Sequence, residues 1–435
     1  MKEQFDARLA RLFSSGDAAP VTFNGSHVYN ITFQVTEWCN QNCSYCYQHN
    51  KTENRMSFET AKRFIDILLA ADEKTGKYIN SRNTRGVVLD FIGGEPLLEI
   101  ELIDRICDYF LEKAFLLHHP WATRYMISLC SNGLLYFDPK AQEFIAKHKD
   151  RLSLNITVDG NRELHDACRV DLDGNGTYDR AMAAVRHYTG VLGGSIGSKV
   201  TIAPENVRFI SDAVISLIEN GYTDINLNCV FEEGWELEHA KTLYSQLKLM
   251  ADYLVDNGLY DRIHLSIFDE KAGHPLSPSD DMNWCGGAGL MLALDWRGDI
   301  FPCLRFMDNA IGDKQPRYTV GDVENGLSNT PEHQTRVRCL SCITRKSQSA
   351  GECFSCPIAS GCAWCTAYNY ECFGTPDKRA VFICVMHKAR VLGTAYYFKR
   401  IAVKKGEKSP YQIDMPEEMA LAIIDGGEYL MLKEV

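Results

Sequence analysis

The sequence predicts an α/β fold with a parallel sheet, followed by a smaller cysteine-rich domain. From about residue 28 to residue 232, short β-rich segments alternate with segments whose apolar residues recur at helical spacing. From about residue 285 this alternation stops, and cysteine and glycine become frequent. Strands that alternate with helices form parallel sheets, either open and doubly wound or closed into a partial barrel, and periodicity alone leaves both open.

Six segments are predicted as strands, with helices between them. Apolar residues from Phe58 to Leu69 recur at helical spacing after the first strand, and those from Ile210 to Ile218 do so before the sixth. Near the C-terminus, residues 417–424 and a strand-like segment over 429–432 are expected to form a tail that packs back on the sheet domain. The predicted strands are residues 29–35, 87–92, 125–130, 152–158, 199–202 and 225–230.

The composition limits the class of protein. The 435 residues carry a formal net charge of −11, and no block of Lys or Arg offsets it, which argues against nucleic-acid and anionic-membrane partners. The N-terminal segment lacks the apolar core of a signal peptide, and no apolar run is long enough to span a membrane, so we expect a cytoplasmic protein. In a reducing compartment, 17 cysteines indicate metal binding rather than disulfides.

Three cysteines share one short loop directly after the first predicted strand. Cys39, Cys43 and Cys46 have the spacing Cys-x3-Cys-x2-Cys. Soft thiolates select iron–sulfur clusters or zinc, and a structural zinc site needs four ligands. Three neighbouring thiolates leave one metal corner open, which a catalytic cluster requires. A zinc knuckle is the alternative interpretation.

Three more strand ends carry polar or glycine-rich motifs. The second strand ends in Gly-Gly-Glu-Pro at residues 93–96, the third in Ser-Asn-Gly at 131–133, and the fourth in Thr-Val-Asp-Gly at 157–160. Each motif alone is typical of a turn. In α/β folds, however, functional loops emerge from the carboxyl ends of parallel strands, where these motifs lie.

Ten cysteines crowd into residues 285–384. Four of them, in two Cys-x2-Cys pairs starting at Cys339 and Cys353, have the spacing of a zinc ribbon, which would leave the others unexplained. The full pattern is Cys285-x12-Gly298-x4-Cys303, then Cys353-x2-Cys356-x5-Cys362-x2-Cys365, then Cys372 and Cys384.

Together these motifs resemble those of radical S-adenosylmethionine (SAM) enzymes over roughly residues 28–390. The resemblance implies a partial (β/α)6 TIM barrel in which Cys39, Cys43 and Cys46 hold one 4Fe–4S cluster, with SAM chelating its open iron. An aromatic residue before the third cysteine, here Tyr45, belongs to the signature. The resemblance assigns SAM binding to Tyr45, Gly93, Gly94, Glu95, Pro96, Ser131, Asn132, Thr157 and Arg169.

The C-terminal pattern resembles the SPASM domain, which binds two auxiliary 4Fe–4S clusters. By position, one cluster uses Cys353, Cys356, Cys362 and Cys384, and the other uses Cys285, Cys303 and Cys365. In this sequence two residues separate Cys362 from Cys365, whereas the SPASM pattern has three. The missing fourth ligand is Cys339, Cys342 or Cys372, or the position is open for a substrate thiolate. The implied domains are residues 1–27 (helical extension), 28–250 (barrel), 251–284 (bridging segment), 285–390 (SPASM) and 391–435 (a tail packing on the barrel).

Segments 38–51 and 356–370 resemble peptide maturases whose precursors carry Cys-x-x-x repeats. The resemblance implies a 5′-deoxyadenosyl radical that oxidatively crosslinks a ribosomal precursor peptide by Cys thioether formation. The alternatives are an anaerobic sulfatase-maturing enzyme that makes formylglycine, epimerisation, carbon–carbon crosslinking, and a non-catalytic metal-binding module. Expected partners are a Cys-containing precursor peptide and a flavodoxin- or ferredoxin-type electron donor. Since few residues precede the first strand, leader recognition is expected from a separate protein or from another surface. Asp159 and Glu232, at strand ends, are candidates for proton handling.

Overall fold

The computed structural model describes residues 28–44, 46, 48, 51–71, 79, 81, 84–194, 196–283 and 285–433. The helical extension predicted over residues 1–27 lies outside this described part, and so does Tyr45. Within these ranges no helix is both long enough and apolar enough to cross a lipid bilayer.

Six parallel strands alternate with helices from residue 28 to residue 229, which confirms the predicted α/β fold. β1 to β4 are consecutive neighbours in one sheet, and β5 to β7 form a second parallel sheet. Where β4 meets β5, the Ser198 hydroxyl donates to the Val158 carbonyl. All six carboxyl ends therefore face one edge of a partial barrel. The strands are β1 Val28–Thr36, β2 Gly86–Gly93, β3 Tyr125–Ser131, β4 Leu152–Ile156, β5 Gly197–Ile202, β6 Asp224–Cys229, β7 His264–Leu265, β8 Met291–Leu294, β9 Asp299–Phe301, β10 Gly321–Asp322 and β11 Gly326–Leu327.

The helices bury one apolar face against the sheets. Helix α1 begins after Ser57, whose hydroxyl accepts the Thr60 N–H, and it buries Phe64 and Leu68. Phe64 meets Phe33 of β1 edge to face, with ring centroids 5.5 Å apart. The helices are α1 Phe58–Ala70, α2 Ile100–Leu116, α3 Pro139–His148, α4 Arg162–Cys168, α5 Tyr178–Gly190, α6 Ile210–Glu219, α7 Leu237–Asp256, α8 Asp308–Ile311, α9 Pro331–Ser341, α10 Arg345–Gln348, α11 Gly351–Phe354, α12 Thr366–Phe373, α13 Cys384–Lys405, α14 Glu417–Ala420 and α15 Gly426–Lys433.

The cysteine-rich region continues the first sheet. β8 pairs in parallel with β1, and β9 to β11 follow it in antiparallel order. Between β8 and β9 the Asp295 carboxylate accepts the backbone N–H groups of Arg297, Gly298 and Asp299. Gly298 has φ +98°, a conformation that favours glycine. This turn explains the glycine of the Cys-x12-Gly-x4-Cys pattern, because it leads the chain through β9 to Cys303.

Helix α13 joins the cysteine-rich region to the barrel. It starts at Cys384 and runs across the boundary predicted between residues 390 and 391. A Cβ on Gly393 would lie 2.4 Å from the Leu247 side chain of α7, so the two helices are in close contact. Arg400 of α13 also binds Asp252 of α7 at 2.7 Å.

The end of the chain packs on the same helix α7. Residues 429–432 are helical, so the strand-like prediction was wrong. Tyr429 and Leu432 are buried three residues apart, a spacing that also suits one face of a helix. The Glu428 carboxylate accepts hydrogen bonds from the Tyr244 hydroxyl at 2.8 Å and the Lys248 ammonium at 2.5 Å.

Candidate active site

The loop after β1 carries the first thiol group, which consists of Cys39, Cys43 and Cys46. Burial raises the pKa of Cys39 to about 11, and it also raises that of Cys43. Such thiols stay protonated at neutral pH until a metal displaces the proton. The edge of this loop is hydrogen-bonded to the segment after α4, since the Asn42 N–H donates to the Val170 carbonyl at 2.9 Å.

The Gly-Gly-Glu-Pro motif after β2 lies directly against this loop. The Gly94 N–H donates to the Thr36 carbonyl at 3.0 Å, and the Glu95 N–H donates to the Trp38 carbonyl at 2.9 Å. A Cβ on Gly94 would lie 2.2 Å from the Trp38 oxygen. Glycine is therefore required here by the close approach of two backbones.

The Glu95 carboxylate is fully buried and binds the neighbouring strand end. It accepts hydrogen bonds from the Ser131 hydroxyl at 2.8 Å, the Asn132 N–H at 2.8 Å and the Leu97 N–H at 3.0 Å. Burial raises the pKa of Glu95, while these donors favour its charged form. Glu95 thus fixes the ends of β2 and β3 relative to each other. Its predicted contact with SAM stays a prediction.

Two predicted SAM-binding residues approach sulfur atoms of the first thiol group. The Asn132 amide nitrogen lies 3.9 Å from Cys39 Sγ and donates to the Asn40 side chain at 2.7 Å. The Arg169 guanidinium lies 3.7 Å from Cys43 Sγ and binds the Asp159 carboxylate at 2.9 Å. The arginine opposes the effect of burial on the pKa of Cys43. Thr157 is the first residue after β4, and its N–H donates to the Ser131 carbonyl.

A buried polar network behind Arg169 was not predicted. Thr177 accepts from the Gln41 amide at 2.7 Å and donates to the Arg169 carbonyl at 3.0 Å. His165 lies 3.1 Å from the same hydroxyl, and its Nδ1 accepts the Asp159 N–H at 3.3 Å. Burial lowers the pKa of His165 to about 4, so the ring is neutral with its proton on Nε2. No local motif signals this network, because Gln41 and Thr177 are far apart in sequence.

A second thiol group (Cys285, Cys303 and Cys365) forms in the cysteine-rich region. The Cys303 thiol lies within electrostatic range of both other thiols, and its pKa is raised, chiefly by burial. A Cβ on Gly287 would lie 3.4 Å from Cys303 Sγ and 3.7 Å from Cys285 Sγ. The Thr366 hydroxyl lies 3.3 Å from Cys285 Sγ. The glycine and the hydroxyl therefore line the space among the thiols.

A third thiol group (Cys353, Cys356, Cys362 and Cys384) contains the four cysteines expected to share a cluster. Cys384 and Cys356 both act electrostatically on Cys353 and on Cys362. Burial raises the pKa of the Cys362 thiol, and the neighbouring Arg379 opposes this.

The other candidates for a cluster ligand have different neighbours. Cys372 interacts with the Tyr368 hydroxyl, and burial raises the pKa of its thiol. Cys342 lies near the Asp377 carboxylate, and Cys339 is buried.

Glu232, after β6, binds a guanidinium beside the second thiol group. Arg305 contacts the Glu232 carboxylate at 3.2 Å and that of Glu371 at 3.5 Å. Cys365, Glu232 and Glu371 each act to raise the pKa of Arg305, against its burial. The barrel edge is thus connected to the second thiol group through charged side chains.

The distance between cysteine sulfurs distinguishes an iron–sulfur cluster site from a site for a single zinc ion. Tetrahedral Zn–S bonds of about 2.3 Å would bring the sulfurs to about 3.8 Å from one another. Among the described residues, the one set of three or more ligand atoms within 4.8 Å of one another is Asp104, Asp108 and His148, and Lys147 binds both carboxylates. In a 4Fe–4S cluster each thiolate binds a different iron, so the sulfurs lie farther apart. Among the described residues no three cysteine sulfurs lie within 4.8 Å of one another, and soft thiolates are the donors that iron–sulfur clusters take.

The fold and the first thiol group together define a radical SAM domain. Residues 33–196 match the family model described as the Radical SAM superfamily. Residues 33–196 are therefore a radical SAM domain, which supports SAM and an iron–sulfur cluster as its cofactors. Among the predicted SAM-binding residues, Gly94 contacts the loop that carries the first thiol group, and Asn132 and Arg169 lie near its sulfur atoms.

Several known proteins are similar to this chain. The uncharacterized protein MJ0907 of Methanocaldococcus jannaschii is 28% identical over 277 residues, covering 63% of this chain and 84% of that protein. The radical SAM cyclopropyl synthase TigE of Paramaledivibacter caminithermalis is 20% identical over 414 residues, covering 90% of this chain and 77% of TigE.

Solved structures share the fold. The structure of native anSMEcpe with bound AdoMet has a TM-score of 0.59 at 16% identity, covering 87% of this chain and all of that chain. The structure of Streptococcus suis SuiB bound to its precursor peptide SuiA has a TM-score of 0.52 at 15% identity, covering 88% of this chain and 80% of that chain.

Proposed function

We propose that this radical SAM enzyme modifies a ribosomally made, Cys-containing precursor peptide, by forming a thioether from the cysteine sulfur. The observation that carries the proposal is the Glu232–Arg305 contact at 3.2 Å. It joins the carboxyl edge of the barrel, where the SAM-dependent chemistry occurs, to the second thiol group. A peptide bound at this junction would lie between two metal centres, as a two-step oxidation requires.

Three 4Fe–4S clusters fit the donor sets of the three thiol groups. Cys39, Cys43 and Cys46 would hold the first cluster, which with SAM would supply the radical chemistry that activates a C–H bond of the peptide. The chain itself orients the reactants and excludes water. We propose that the second thiol group, with three cysteines around Gly287, leaves its fourth position to Cys339, Cys342, Cys372 or the substrate thiolate.

The two candidate proton-handling carboxylates are each paired with an arginine. Arg169 holds Asp159 at 2.9 Å, and Arg305 holds Glu232 at 3.2 Å. We therefore propose that Asp159 and Glu232 also orient the arginines, which in turn face Cys43 and Cys365.

The printed names of the relatives support a peptide substrate. SuiB is described as bound to a precursor peptide, and TigE is described as a radical SAM cyclopropyl synthase. The second candidate function is oxidation of a single Cys or Ser to formylglycine, since the fold likeness to anSMEcpe covers the whole of that chain. We propose a flavodoxin or ferredoxin as the electron donor and a separate protein for leader recognition.

The test is anaerobic reconstitution followed by mass spectrometry of a co-expressed Cys-containing peptide. The protein should contain iron and sulfide, and with dithionite it should cleave SAM to 5′-deoxyadenosine. Loss of two hydrogens per cysteine supports a thioether, whereas the mass of formylglycine supports the second candidate. Cys43→Ala should abolish SAM cleavage, while Cys107→Ala, at a buried position in α2, should retain it. Zinc in place of iron would contradict the whole assignment.

A further inference from the structure

Two arginines are buried beside the third thiol group. Arg379 is 8% exposed and Arg345 is 4% exposed. One nitrogen of Arg379, Nη2, lies 2.9 Å from Cys362 Sγ and 3.1 Å from the carbonyl oxygens of Cys362 and Ala363. A guanidinium at this distance from a sulfur donates a charge-assisted hydrogen bond once the sulfur is a thiolate.

Arg345 is also near the third thiol group, since Cys362 and Cys356 act electrostatically on it. Its Nη2 donates to the Ala359 carbonyl, and its Nε is buried with no hydrogen-bond partner. Both guanidinium groups contact the Trp364 ring, at 5.6 and 5.7 Å from the ring centroid. Both arginines therefore lie within cation–π range of one indole, and Arg379 also contacts Cys362 Sγ.

Two like charges buried together are unfavourable unless negative charge compensates them. Burial and the neighbouring Arg379 both lower the pKa of Arg345, whereas Cys362, Asp280 and Cys356 oppose this. Two of these three compensating groups belong to the third thiol group. A 4Fe–4S cluster with four thiolates carries net negative charge, so it supplies the compensation that neutral thiols do not.

We propose that Arg379 and Arg345 are the counter-ions of the cluster held by the third thiol group, and that they raise its reduction potential. This inference rests on the proposed function, which assigns a cluster to these four cysteines. Taking up one electron makes the cluster more negative by one charge, so nearby guanidinium groups stabilise the reduced form. The arginines thereby suit this cluster to accept the electron that thioether formation releases.

The experiment is a redox titration of the anaerobically reconstituted protein, followed by electron paramagnetic resonance. Cys39→Ala, Cys43→Ala and Cys46→Ala together remove the first cluster's signal, and the signal lost in Cys353→Ala identifies the third thiol group. The test variants are Arg379→Gln, Arg379→Lys and Arg345→Gln. The control is Arg297→Gln, whose guanidinium also stacks on a tryptophan but binds the Asp308 carboxylate. Iron is counted in every variant.

Arg379→Gln should make reduction of this cluster at least tenfold less favourable, a shift of about 59 mV for one electron. Arg379→Lys keeps the charge and should shift less, Arg345→Gln should shift in the same direction, and Arg297→Gln should not shift. If Arg379→Gln loses the iron of this cluster while Arg297→Gln keeps it, the counter-ion role is supported. In that case the reduction potential of the cluster is measured in Arg379→Lys instead. Full iron with an unchanged potential in all three test variants overturns the inference. Absence of iron from the unsubstituted third thiol group overturns the proposed function instead.

Discussion

Replacement of Glu95 tests whether one buried carboxylate holds the cofactor-binding edge together. Its two oxygens accept three hydrogen bonds, from Ser131, Asn132 and Leu97. Glu95→Ala leaves three buried donors without an acceptor, and each such donor costs about 1–3 kcal/mol. We expect the free energy of unfolding to fall by about 3–5 kcal/mol. The loss should be near the lower value if water enters the space left by the Glu95 side chain.

Glu95→Gln is the sharper substitution, because it preserves the shape of the side chain. The glutamine oxygen can replace the oxygen that serves Ser131 and Leu97, but its amide nitrogen then faces the Asn132 N–H. One donor facing another should cost about 2 kcal/mol. At about 1.4 kcal/mol per factor of ten, the Asn132 amide should exchange about 30-fold faster through local opening.

The assay is hydrogen–deuterium exchange with mass spectrometry on the anaerobic holoenzyme, with peptides covering residues 93–98 and 131–134. Urea denaturation measures the accompanying loss of global stability. Glu101→Gln is the control, since this exposed residue pairs only at the surface with Lys140. Unchanged exchange in both peptides for Glu95→Gln would refute the view that this carboxylate connects the ends of β2 and β3.

Three further predictions concern the same edge of the barrel. From pH 7 to pH 5.5 the free energy of unfolding should fall by about 1.2 kcal/mol through His165. The folded pKa of His165, about 4, lies below the ordinary 6.5, so the unfolded chain binds more protons. In urea denaturation measured across this pH range, His165→Asn should remove this part of the pH dependence. Arg169→Gln should speed loss of iron from the first thiol group to a chelator about tenfold, since it removes a charged donor beside Cys43; an unchanged rate counts against this role. Gly94→Ala should prevent iron incorporation at the first thiol group alone, because its methyl group would meet the Trp38 carbonyl at 2.2 Å, whereas Gly190→Ala, with open space around the added carbon, should load normally.

Much of the fold could be predicted because its signals are local. The six barrel strands lie within two residues of the predicted ends, since β-rich segments alternate with amphipathic helices. The segment over residues 429–432 was predicted wrongly, because a four-residue apolar run has no clear period. The neighbouring Glu428 contacts Tyr244 and Lys248, which lie far away in sequence and give no local signal.

The candidate site divides in the same way between local and distant signals. The resemblance to the SPASM pattern, rather than cysteine spacing alone, suggested which four thiols form the third thiol group. The hydrogen bond between Gln41 and Thr177 could not be predicted, since the two residues lie far apart in sequence and acquire their role by burial. Arg379 and Arg345 were missed for a related reason. An arginine is normally a surface residue, and only packing against Trp364 shows that these two are buried.

Metal uptake and folding of the cysteine-rich region are coupled through charge. Burial raises the pKa of Cys303, Cys362 and Cys365, so the metal-free thiols are protonated and neutral near pH 7. Binding iron must release those protons, which makes cluster assembly easier as the pH rises. In the metal-free protein Arg345 and Arg379 would repel each other beside neutral thiols, whereas an anionic cluster neutralises them. The same two charges that destabilise the empty site therefore stabilise the filled one, and this difference favours a folded domain only when its iron is bound.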